Sequence, residues 1–300
     1  FSRPKTMLPW GVPVPCDDTQ VMYVWCDALS NYITGIGYGE ENETFKTFWP
    51  ASVHLIGKDI LRFHAGIWIG MLLSAGLPTP ANIYVHGFIT SGGQKMSKSL
   101  GNVVDPFGYV ERYGADPVRY YLLREIPTTD DGDFNADRFL SVYSSDLANS
   151  LGNLVYRVFS MNEKYFEGKV VRRAAGSILP LDELIAGYHA AIAEFDLKRA
   201  LEIVLKLVQA ANEHVEVCKP WVLAKSDMEK LGEVMYQLLE TVRIIGVLLQ
   251  PFLPGTSEKI LAQFGGVTGG VSFEKNLAWG QLEIGTSLTK GEPLFPRIEG

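Results

Sequence analysis

The segment 52–89 constrains the fold of this chain more than any other part of the sequence. Two apolar runs rich in β-branched residues, 52–57 and 82–89, flank a stretch in which apolar residues recur at helical spacing. That stretch, 59–75, begins with an aspartate placed to cap a helix and is followed by Gly76, which favours a helix end. A strand, a helix and a strand within 38 residues predict a βαβ unit, and therefore a parallel sheet.

Candidate binding elements follow the strands of this predicted sheet. A further strand candidate, 21–25, ends at Trp25, the first apolar run ends at Gly57, and the second leads into the loop that contains Lys95. Ligands of parallel sheets bind beyond the carboxyl ends of the strands. We therefore expect Trp25, Gly57 and the Lys95 loop to border a site.

The second half of the chain has the period of helices. Residues 106–113 and 115–126 are short helix candidates divided by Gly114, and a capping box at 226–229 marks another helix start. The remaining apolar stripes predict helices at 136–166, 181–195, 197–218, 228–250 and 256–264. The predicted fold class is α/β followed by all-α, with a bundle of about five helices. Residues 1–15 and the tail 276–300, which has a brief strand-like run at 282–284, are predicted to be irregular.

Composition excludes several classes of protein. The net charge of −7 argues against a surface that is basic throughout, so contact with nucleic acid requires a local basic patch or stacking. Cys16, Cys26 and Cys218 are far apart, which predicts neither a disulfide framework nor a zinc site and fits a reducing, cytoplasmic location. No apolar stretch reaches the ~18 residues that cross a bilayer, so no membrane partner is expected. The chain does not begin with Met and has no signal peptide, which suggests part of a longer protein.

Two lysines in the loop 91–99 form a candidate phosphate-binding site. Lys95 and Lys98 are three residues apart, are flanked by Ser97 and Ser99, and are reached through paired glycines. Ammonium groups on a mobile loop suit a clamp on a polyphosphate. On spacing alone, a solvated Lys/Ser loop is the alternative. The word KMSKS directly after a strand favours the phosphate interpretation.

Five blocks of sequence resemble the methionyl-tRNA synthetases, which are class I aminoacyl-tRNA synthetases, in the same order. They are YVWCDALSNYITGIGYG at 23–39, HLIGKDILRFHAGIW at 54–68, KMSKS with the following LGNVVDP, RYYLLRE at 119–125 and KPWVLAK at 219–225. Nothing in the sequence matches the family's HIGH signature, of which HLIG at 54–57 is only a superficial echo, and the zinc-bearing connective insertion is missing. The resemblance therefore implies the C-terminal half of such an enzyme.

The resemblance implies four regions and two reactions. Residues 1–100 correspond to the second half of a Rossmann-like catalytic domain with the KMSKS loop, and 101–134 to a linking region that contacts the tRNA stem. Residues 135–265 correspond to an α-helical anticodon-binding domain, and 266–300 to a C-terminal tail. The reactions are activation of methionine by ATP with Mg²⁺ and transfer to tRNA(Met). Both are expected only when the N-terminal half is present as a partner.

For ATP, the resemblance implies that the lysine loop closes over the pyrophosphate part, with Lys95 and Lys98 as catalytic groups. Asp59, two residues after Gly57, is implied to accept hydrogen bonds from ribose hydroxyls. His86 lies close to the same site in the sequence and is a candidate to approach the nucleotide. From the residues alone, Asp59 also suits a helix cap and His86 a structural role. The implied ATP-binding set is Gly57, Asp59, His86, Lys95, Ser97 and Lys98.

For methionine, the resemblance implies an aromatic and aliphatic pocket with donors aimed at the weak acceptor sulfur. Tyr32 supplies a hydroxyl and His64 a ring N–H, while Ile60, His64 and Trp68 share a helix face. Without the resemblance, this face indicates core packing around a satisfied histidine. The implied set is Trp25, Ala28, Leu29, Tyr32, Ile60 and His64.

For the anticodon, the resemblance implies that Trp221 stacks on a base while Asn153 and Arg157 form hydrogen bonds with base edges. Asn212, nine residues before Trp221, is a weaker candidate for the same surface. The alternatives are a tryptophan packed at a helix end after Pro220 and a solvated arginine.

Two other functions remain open at this point. One is another class I synthetase, of the leucine, valine or cysteine type, which shares the lysine loop; Trp25, Tyr32, His64 and the block 219–225 favour methionine instead. The other is a tRNA-binding module without catalysis, against which the presence of both loop lysines argues.

Overall fold

A computed structural model describes residues 2–40, 43–265 and 272–297 of the chain. The chain divides into two compact units, Phe1–Phe88 and Ile89–Gly300. Within the described ranges, no helix has both the length and the apolar character needed to cross a bilayer.

The first unit opens with an antiparallel sheet where the sequence predicts an irregular segment. Its strands pair in the order β1-β3-β2 and are β1 (Ser2–Pro4), β2 (Pro13–Val14) and β3 (Asp17–Met22). The predicted strand 21–25 is therefore wrong at its C-terminal end, because Trp25 begins helix α1 (Trp25–Thr34). Helix α1 buries Leu29 and Ile33 in the core of this unit, and this packing overrides the strand propensity of the aromatic and β-branched residues before it.

A two-stranded parallel sheet follows helix α2 (Glu43–Phe48), as the βαβ pattern predicts. Strands β4 (His54–Gly57) and β5 (Ile83–His86) pair so that Gly57 is opposite His86. The predicted parallel pairing is confirmed, and it places the carboxyl ends of both strands side by side.

The helix predicted at 59–75 is divided into three segments. They are a 3₁₀ turn (Lys58–Ile60), a π-helical segment (Arg62–Trp68) and helix α3 (Ile69–Ser74). Gly57 occupies the N-cap and Asp59 lies inside the first turn, so the predicted capping role of Asp59 is wrong. Trp68 and Leu72 from this helical stretch pack into the same core as α1.

The second unit begins with a three-stranded sheet that carries the lysine loop. Strands β6 (Ile89–Ser91) and β7 (Gln94–Lys95) form an antiparallel hairpin, and β8 (Gly132–Asp133) is parallel to β6. The strand predicted at 82–89 is therefore two strands, since β5 ends at His86 and β6 starts at Ile89. As predicted, Gly114 divides the next two helices, which are α4 (Pro106–Tyr113) and α5 (Ala115–Arg124).

The rest of the second unit is a helical bundle, as the periodicity predicts. A π-helical segment, Tyr143–Gly152, joins its first two helices. Its helices are α6 (Ala136–Val142), α7 (Asn153–Phe166), α8 (Leu181–Ala193), α9 (Leu197–Cys218), α10 (Pro220–Ser226), α11 (Met228–Leu248), α12 (Pro254–Ala262) and α13 (Phe273–Asn276). Helices α10 and α13 are additions to the predicted set, and the single helix predicted at 136–166 is divided by the π-helical segment. The run 282–284, predicted to be strand-like, is not part of a strand in the described part of the chain.

Helix α11 forms the centre of the bundle, because nearly all of its residues between Leu231 and Leu248 are buried. Its N-terminus is capped by Asp227, whose side chain accepts a hydrogen bond from the Lys230 N–H at 2.9 Å. The predicted capping box assigned this role to Ser226, whose hydroxyl donates to the carbonyl of the preceding helix instead. A charged acceptor one residue later takes the cap position because it also complements the helix dipole.

Candidate functional site

The carboxyl ends of β4 and β5 bring Gly57, Asp59 and His86 together. A Cβ atom at Gly57 would lie 2.9 Å from Oδ1 of Asp59 and 3.7 Å from the His86 ring, so the glycine lets both polar groups approach the backbone. The Nδ1–H of His86 donates to the Gly87 carbonyl at 2.8 Å, which leaves Nε2 as an acceptor in the neutral ring. Two acceptors beside a glycine suit a ligand that carries hydroxyl groups.

Aromatic side chains from α1 and the π-helical segment form a cluster that contains three of the residues predicted to bind methionine. Trp25 and Phe63 are stacked, with ring centroids 4.0 Å apart and an interplanar angle of 9°. The Tyr32 hydroxyl lies 2.9 Å from Nε2 of the buried His64 ring. The structure thus brings together Trp25, Tyr32 and His64, which are separated by up to 39 positions in the sequence.

Hydrogen bonds fix the direction of the Tyr32 hydroxyl. The Nδ1–H of His64 donates to the Ile60 carbonyl at 3.0 Å. In the neutral ring Nε2 is therefore an acceptor, and the Tyr32 O–H donates to it. The two donors predicted to point at a sulfur atom, the Tyr32 hydroxyl and a His64 ring N–H, are thus both bonded within the protein. A ligand that accepts the Tyr32 hydrogen must compete with His64 for it.

His54 and Trp49 belong to the same aromatic cluster, although sequence reasoning did not select them. The Trp68 Nε1–H donates to Nε2 of His54 at 3.1 Å, and the Tyr32 and His54 rings are 4.4 Å apart. Burial, with a smaller effect of His64, lowers the pKa of His54, so its ring is neutral at pH 7. Trp49 packs edge-on against Trp68. Trp49 comes from a loop without periodicity, so only the local enrichment in aromatic residues signalled its role.

The remaining predicted pocket residues differ in their surroundings. Leu29 is fully buried in the core of the first unit, whereas Ala28 is exposed on the next face of α1. Ile60 is half-buried, and its carbonyl orients His64. Leu29 therefore packs in the core and has no surface for a ligand, whereas Ala28 and Ile60 have atoms that a ligand can reach.

A separate groove of about 1050 Å³ borders the start of α1 and the first sheet. It is lined mainly by apolar side chains, among them Trp10, Val12, Met22 and Val24, all of which are exposed. The sequence predicts residues 1–15 to be irregular and therefore gives no sign of this groove.

The lysine loop of the second unit is a tight hairpin. Gly92 and Gly93 have φ values of +63° and +70°, and a two-residue type I′ turn requires positive φ at both positions. The side chain of Asn102 holds the part of the loop that follows the turn. Its Oδ1 accepts from the Ser97 N–H at 2.9 Å and its Nδ2 donates to the Lys95 carbonyl at 3.3 Å.

The charged and hydroxyl groups of this loop face solvent. Lys95 ends β7, and Lys98 begins a 3₁₀ turn that runs to Leu100; both lysines are exposed. The hydroxyl oxygens of Ser97 and Ser99 are 2.7 Å apart and form a hydrogen bond. This arrangement presents two cations within one short loop, as a polyphosphate ligand requires.

In the bundle, Asn153 and Arg157 lie one turn apart at the start of α7. The Arg157 Nη2 donates to Oε1 of Glu216 on α9 at 2.7 Å. A surface cavity of about 640 Å³ lies beside this ion pair, and its lining includes Gln209 and Asn212. Amide and guanidinium groups at a cavity of this size can form hydrogen bonds with the edge of a base.

The Asn212 amide is bonded within the protein, whereas the Trp221 ring is partly exposed. The Asn212 Nδ2 donates to the Val208 carbonyl at 3.1 Å, so its amide nitrogen is used within the protein. Trp221 is the second residue of α10 and is 39% exposed, next to the exposed Val222. An aromatic ring that is partly exposed at a helix start suits stacking with a ligand.

Comparison with known families identifies the family of this chain. Residues 4–159 match the sequence profile of the tRNA synthetases class I (M). The chain belongs to this family. Residues 167–300 match the profile of the anticodon binding domain of methionyl tRNA ligase. Together, the two profiles cover nearly the whole chain, and the first of them extends from the first compact unit into the second.

Curated relatives named methionine–tRNA ligase match nearly the whole chain. Those of Caldanaerobacter subterraneus subsp. tengcongensis, Clostridium perfringens and Thermotoga maritima are 44%, 45% and 42% identical to it. The matches cover 98%, 98% and 100% of this chain and 48%, 47% and 48% of the relatives. The chain therefore spans about half the length of the curated relatives that it matches.

Solved structures of the same family are similar to this fold. Mycobacterium tuberculosis methionyl-tRNA synthetase in complex with methionyl-adenylate is 40% identical, with a TM-score of 0.85, and the match covers 99% of this chain and 60% of that one. The apo form of the same synthetase gives a TM-score of 0.82 at 37% identity, over 97% and 59% of the two chains.

Proposed function

We propose that this chain is the C-terminal half of a methionine–tRNA ligase, which activates methionine with ATP and transfers it to tRNA(Met). Membership of the class I (M) family and relatives of this name along almost the whole chain support the proposal. Because the chain spans about half of those relatives, an N-terminal half is the partner that completes the active site. Charged tRNA is used in translation, so the cytoplasm is the proposed site of action.

In the proposed activation step, a carboxylate oxygen of methionine attacks the α-phosphorus of ATP. The bond from that phosphorus to its bridging oxygen breaks, methionyl-adenylate forms, and pyrophosphate leaves with the bonding electron pair. Lys95 and Lys98 stabilise the negative charge that grows on the leaving phosphates, and this stabilisation is largest in the transition state. Mg²⁺ arrives with ATP, held mainly by its phosphate oxygens.

The aromatic cluster around Tyr32 and His64 is the observation that carries the choice of amino acid. Methionine has an unbranched, apolar side chain whose sulfur is a weak hydrogen-bond acceptor. Trp25 and Phe63 supply flat apolar walls, and the neutral His54 adds no charge to the cluster. An aromatic surface of this kind disfavours polar amino acids, because their side chains would lose hydration on binding to it.

The test is amino-acid-dependent exchange of pyrophosphate into ATP by the complete enzyme, in which this chain is combined with its N-terminal half. We expect kcat/KM for methionine to exceed the values for leucine, valine and cysteine by at least about a hundredfold, since differences of a few atoms in an apolar pocket reach this size. This chain without its N-terminal half is expected to show no exchange. A preference for one of the other three amino acids would disprove the proposal.

In the proposed transfer step, residues of the helical bundle select the tRNA. Trp221 stacks on an anticodon base, and Asn153 and Arg157 form hydrogen bonds with base edges. The exposure of Trp221 and the position of Arg157 beside an open cavity support these roles. Glu216 has to release Arg157, or share it, when a base binds there.

Replacing Trp221 with alanine is expected to lower kcat/KM for tRNA charging about tenfold or more, because one base–aromatic stack is worth roughly 1–3 kcal/mol. Methionine-dependent pyrophosphate exchange should remain unchanged, since no tRNA takes part in it. Trp221→Phe should retain most of the charging activity. Val222→Ala, which changes the adjacent exposed residue of the same helix, is the matched control. Equal losses in charging and exchange would contradict the assignment.

A further inference from the structure

A carboxylate outside the lysine loop is hydrogen-bonded to it at two points. Oδ1 of Asp133, on β8, accepts from the Thr90 hydroxyl at 2.8 Å and from the Gly93 N–H at 2.8 Å. Thr90 lies on β6, and Gly93 is the second residue of the turn between β6 and β7. One oxygen atom therefore joins the strand and the turn of the hairpin that ends at Lys95.

The backbone around Asp133 holds this carboxylate at a fixed distance from the hairpin. Strand β8 is parallel to β6, with Thr90 paired to Asp133, and the Phe134 N–H donates to the Thr90 carbonyl at 2.8 Å. The Gly93 N–H, followed by the Thr90 hydroxyl, lowers the pKa of Asp133, so its side chain is ionised at neutral pH. An ionised acceptor forms stronger hydrogen bonds than a neutral one.

Asn102 and Asp133 hold different parts of the lysine loop. Asn102 bonds to the Ser97 N–H and the Lys95 carbonyl, and its Nδ2 also lies 3.4 Å from the Ser91 carbonyl at the end of β6, but it does not bond to the glycines of the turn. Asp133 holds the Gly92-Gly93 turn, which has no side chains of its own to order it. Loss of Asp133 should therefore loosen the turn while the contacts of Asn102 remain.

We propose that Asp133 is a positioning residue, which sets the orientation of the lysine hairpin by binding the Gly93 amide and the Thr90 hydroxyl. Its effect on catalysis rests on the proposed function, since it acts through Lys95 and Lys98 and does not itself contact ATP. An unrestrained glycine turn samples many conformations, and a displacement of a catalytic cation by about 1 Å is enough to reduce the rate strongly. The carboxylate thus converts a flexible turn into an ordered one.

The first test measures the order of the hairpin by hydrogen–deuterium exchange of the complete enzyme, without any substrate. Asp133→Ala should accelerate exchange in the peptide that spans 90–99 by on the order of tenfold, because the Gly93 amide loses its acceptor. Asp133→Asn keeps an oxygen acceptor without the charge and should give an intermediate rate. Thr90→Val removes only the hydroxyl and should give a smaller acceleration than Asp133→Ala. Asp17→Ala is the matched control, since Asp17 accepts the same pair of bonds from the Thr19 amide and hydroxyl in the first unit.

The second test measures methionine-dependent pyrophosphate exchange by the same variants. Asp133→Ala should lower kcat on the order of tenfold and leave KM for methionine unchanged, with partial recovery in Asp133→Asn. Unaltered deuterium exchange at 90–99 in Asp133→Ala would overturn the proposal, as would faster exchange with full kcat. If the proposed function is wrong, the unmodified enzyme will show no methionine-dependent pyrophosphate exchange. The deuterium measurement still reports on the order of the hairpin in that case. If Asp133→Ala does not fold, Asp133→Asn and Thr90→Val provide the same comparison.

Discussion

Replacing both Lys95 and Lys98 with alanine is expected to reduce kcat for methionyl-adenylate formation by the complete enzyme at least about a hundredfold. The loss of a single preorganised group at a developing charge costs about a hundredfold or more in other enzymes. KM for methionine should change little, because the aromatic pocket lies in the first unit and contains neither lysine. Single-turnover measurement of adenylate formation, with saturating ATP, separates this effect on chemistry from a weaker affinity for ATP.

The control for this prediction is a variant with the same change in net charge. Lys169→Ala combined with Lys206→Ala removes two exposed lysines from the same unit, away from the hairpin, and should leave kcat unchanged. Arginine at both loop positions keeps the charges with a different shape and should retain intermediate activity. If the double alanine variant forms the adenylate within about twofold of the unmodified rate, the loop lysines are not catalytic.

Helices of the second unit were predictable because local signals agree with the packing. The predicted helix 197–218 has the observed limits of α9, where Asp196 caps the first turn through the Arg199 N–H and Lys219 adopts a left-handed conformation at the end. Its apolar stripe matches the buried face, including Leu201 and Val208. Signals of this kind lie within one helix, so the sequence alone contains them.

Strands and contacts between distant segments were less predictable. The strand expected at 21–25 has suitable residues, but its last residues belong to α1, which is stabilised by burying Leu29 against Trp68. The pairing of Thr90 with Asp133 joins positions 43 residues apart, and nothing in either neighbourhood signals it. Such outcomes depend on which surfaces meet in three dimensions, and local propensity does not contain that information.

In the candidate site, the identity of several residues was predictable, whereas their hydrogen bonds were not. The resemblance supplied Trp25, Tyr32 and His64, and the structure brings these side chains together. The resemblance did not supply the direction of the hydrogen bond from Tyr32 to His64, nor the role of His54 as an acceptor for the Trp68 N–H. Those details follow from the positions of Ile60 and β4, which fix the two imidazole rings.

A buried ion pair in α11 is expected to contribute strongly to the stability of the second unit. Glu240 and Arg243 are fully buried and bonded to each other, and the Arg243 Nη2 donates to the Ala278 carbonyl at 2.8 Å. The Glu240 Oε1 accepts from the Leu282 N–H at 3.0 Å. The pair therefore ties the segment after α13 to the central helix, and each charge depends on the other.

Replacing Arg243 with methionine is expected to destabilise the second unit by about 3–5 kcal/mol, because it leaves the Glu240 carboxylate buried without its partner. In thermal unfolding followed by circular dichroism, this corresponds to a decrease in Tm of roughly 10 °C. Adding Glu240→Gln to the same variant should restore part of the loss, since the uncompensated charge disappears while the Leu282 N–H keeps an acceptor. Lys230→Met is the matched control: it breaks a pair with the same three-residue spacing on the same helix, but this pair is exposed, so Tm should not change measurably. If Arg243→Met and Lys230→Met unfold at the same temperature, the buried pair does not have the structural role that its contacts indicate.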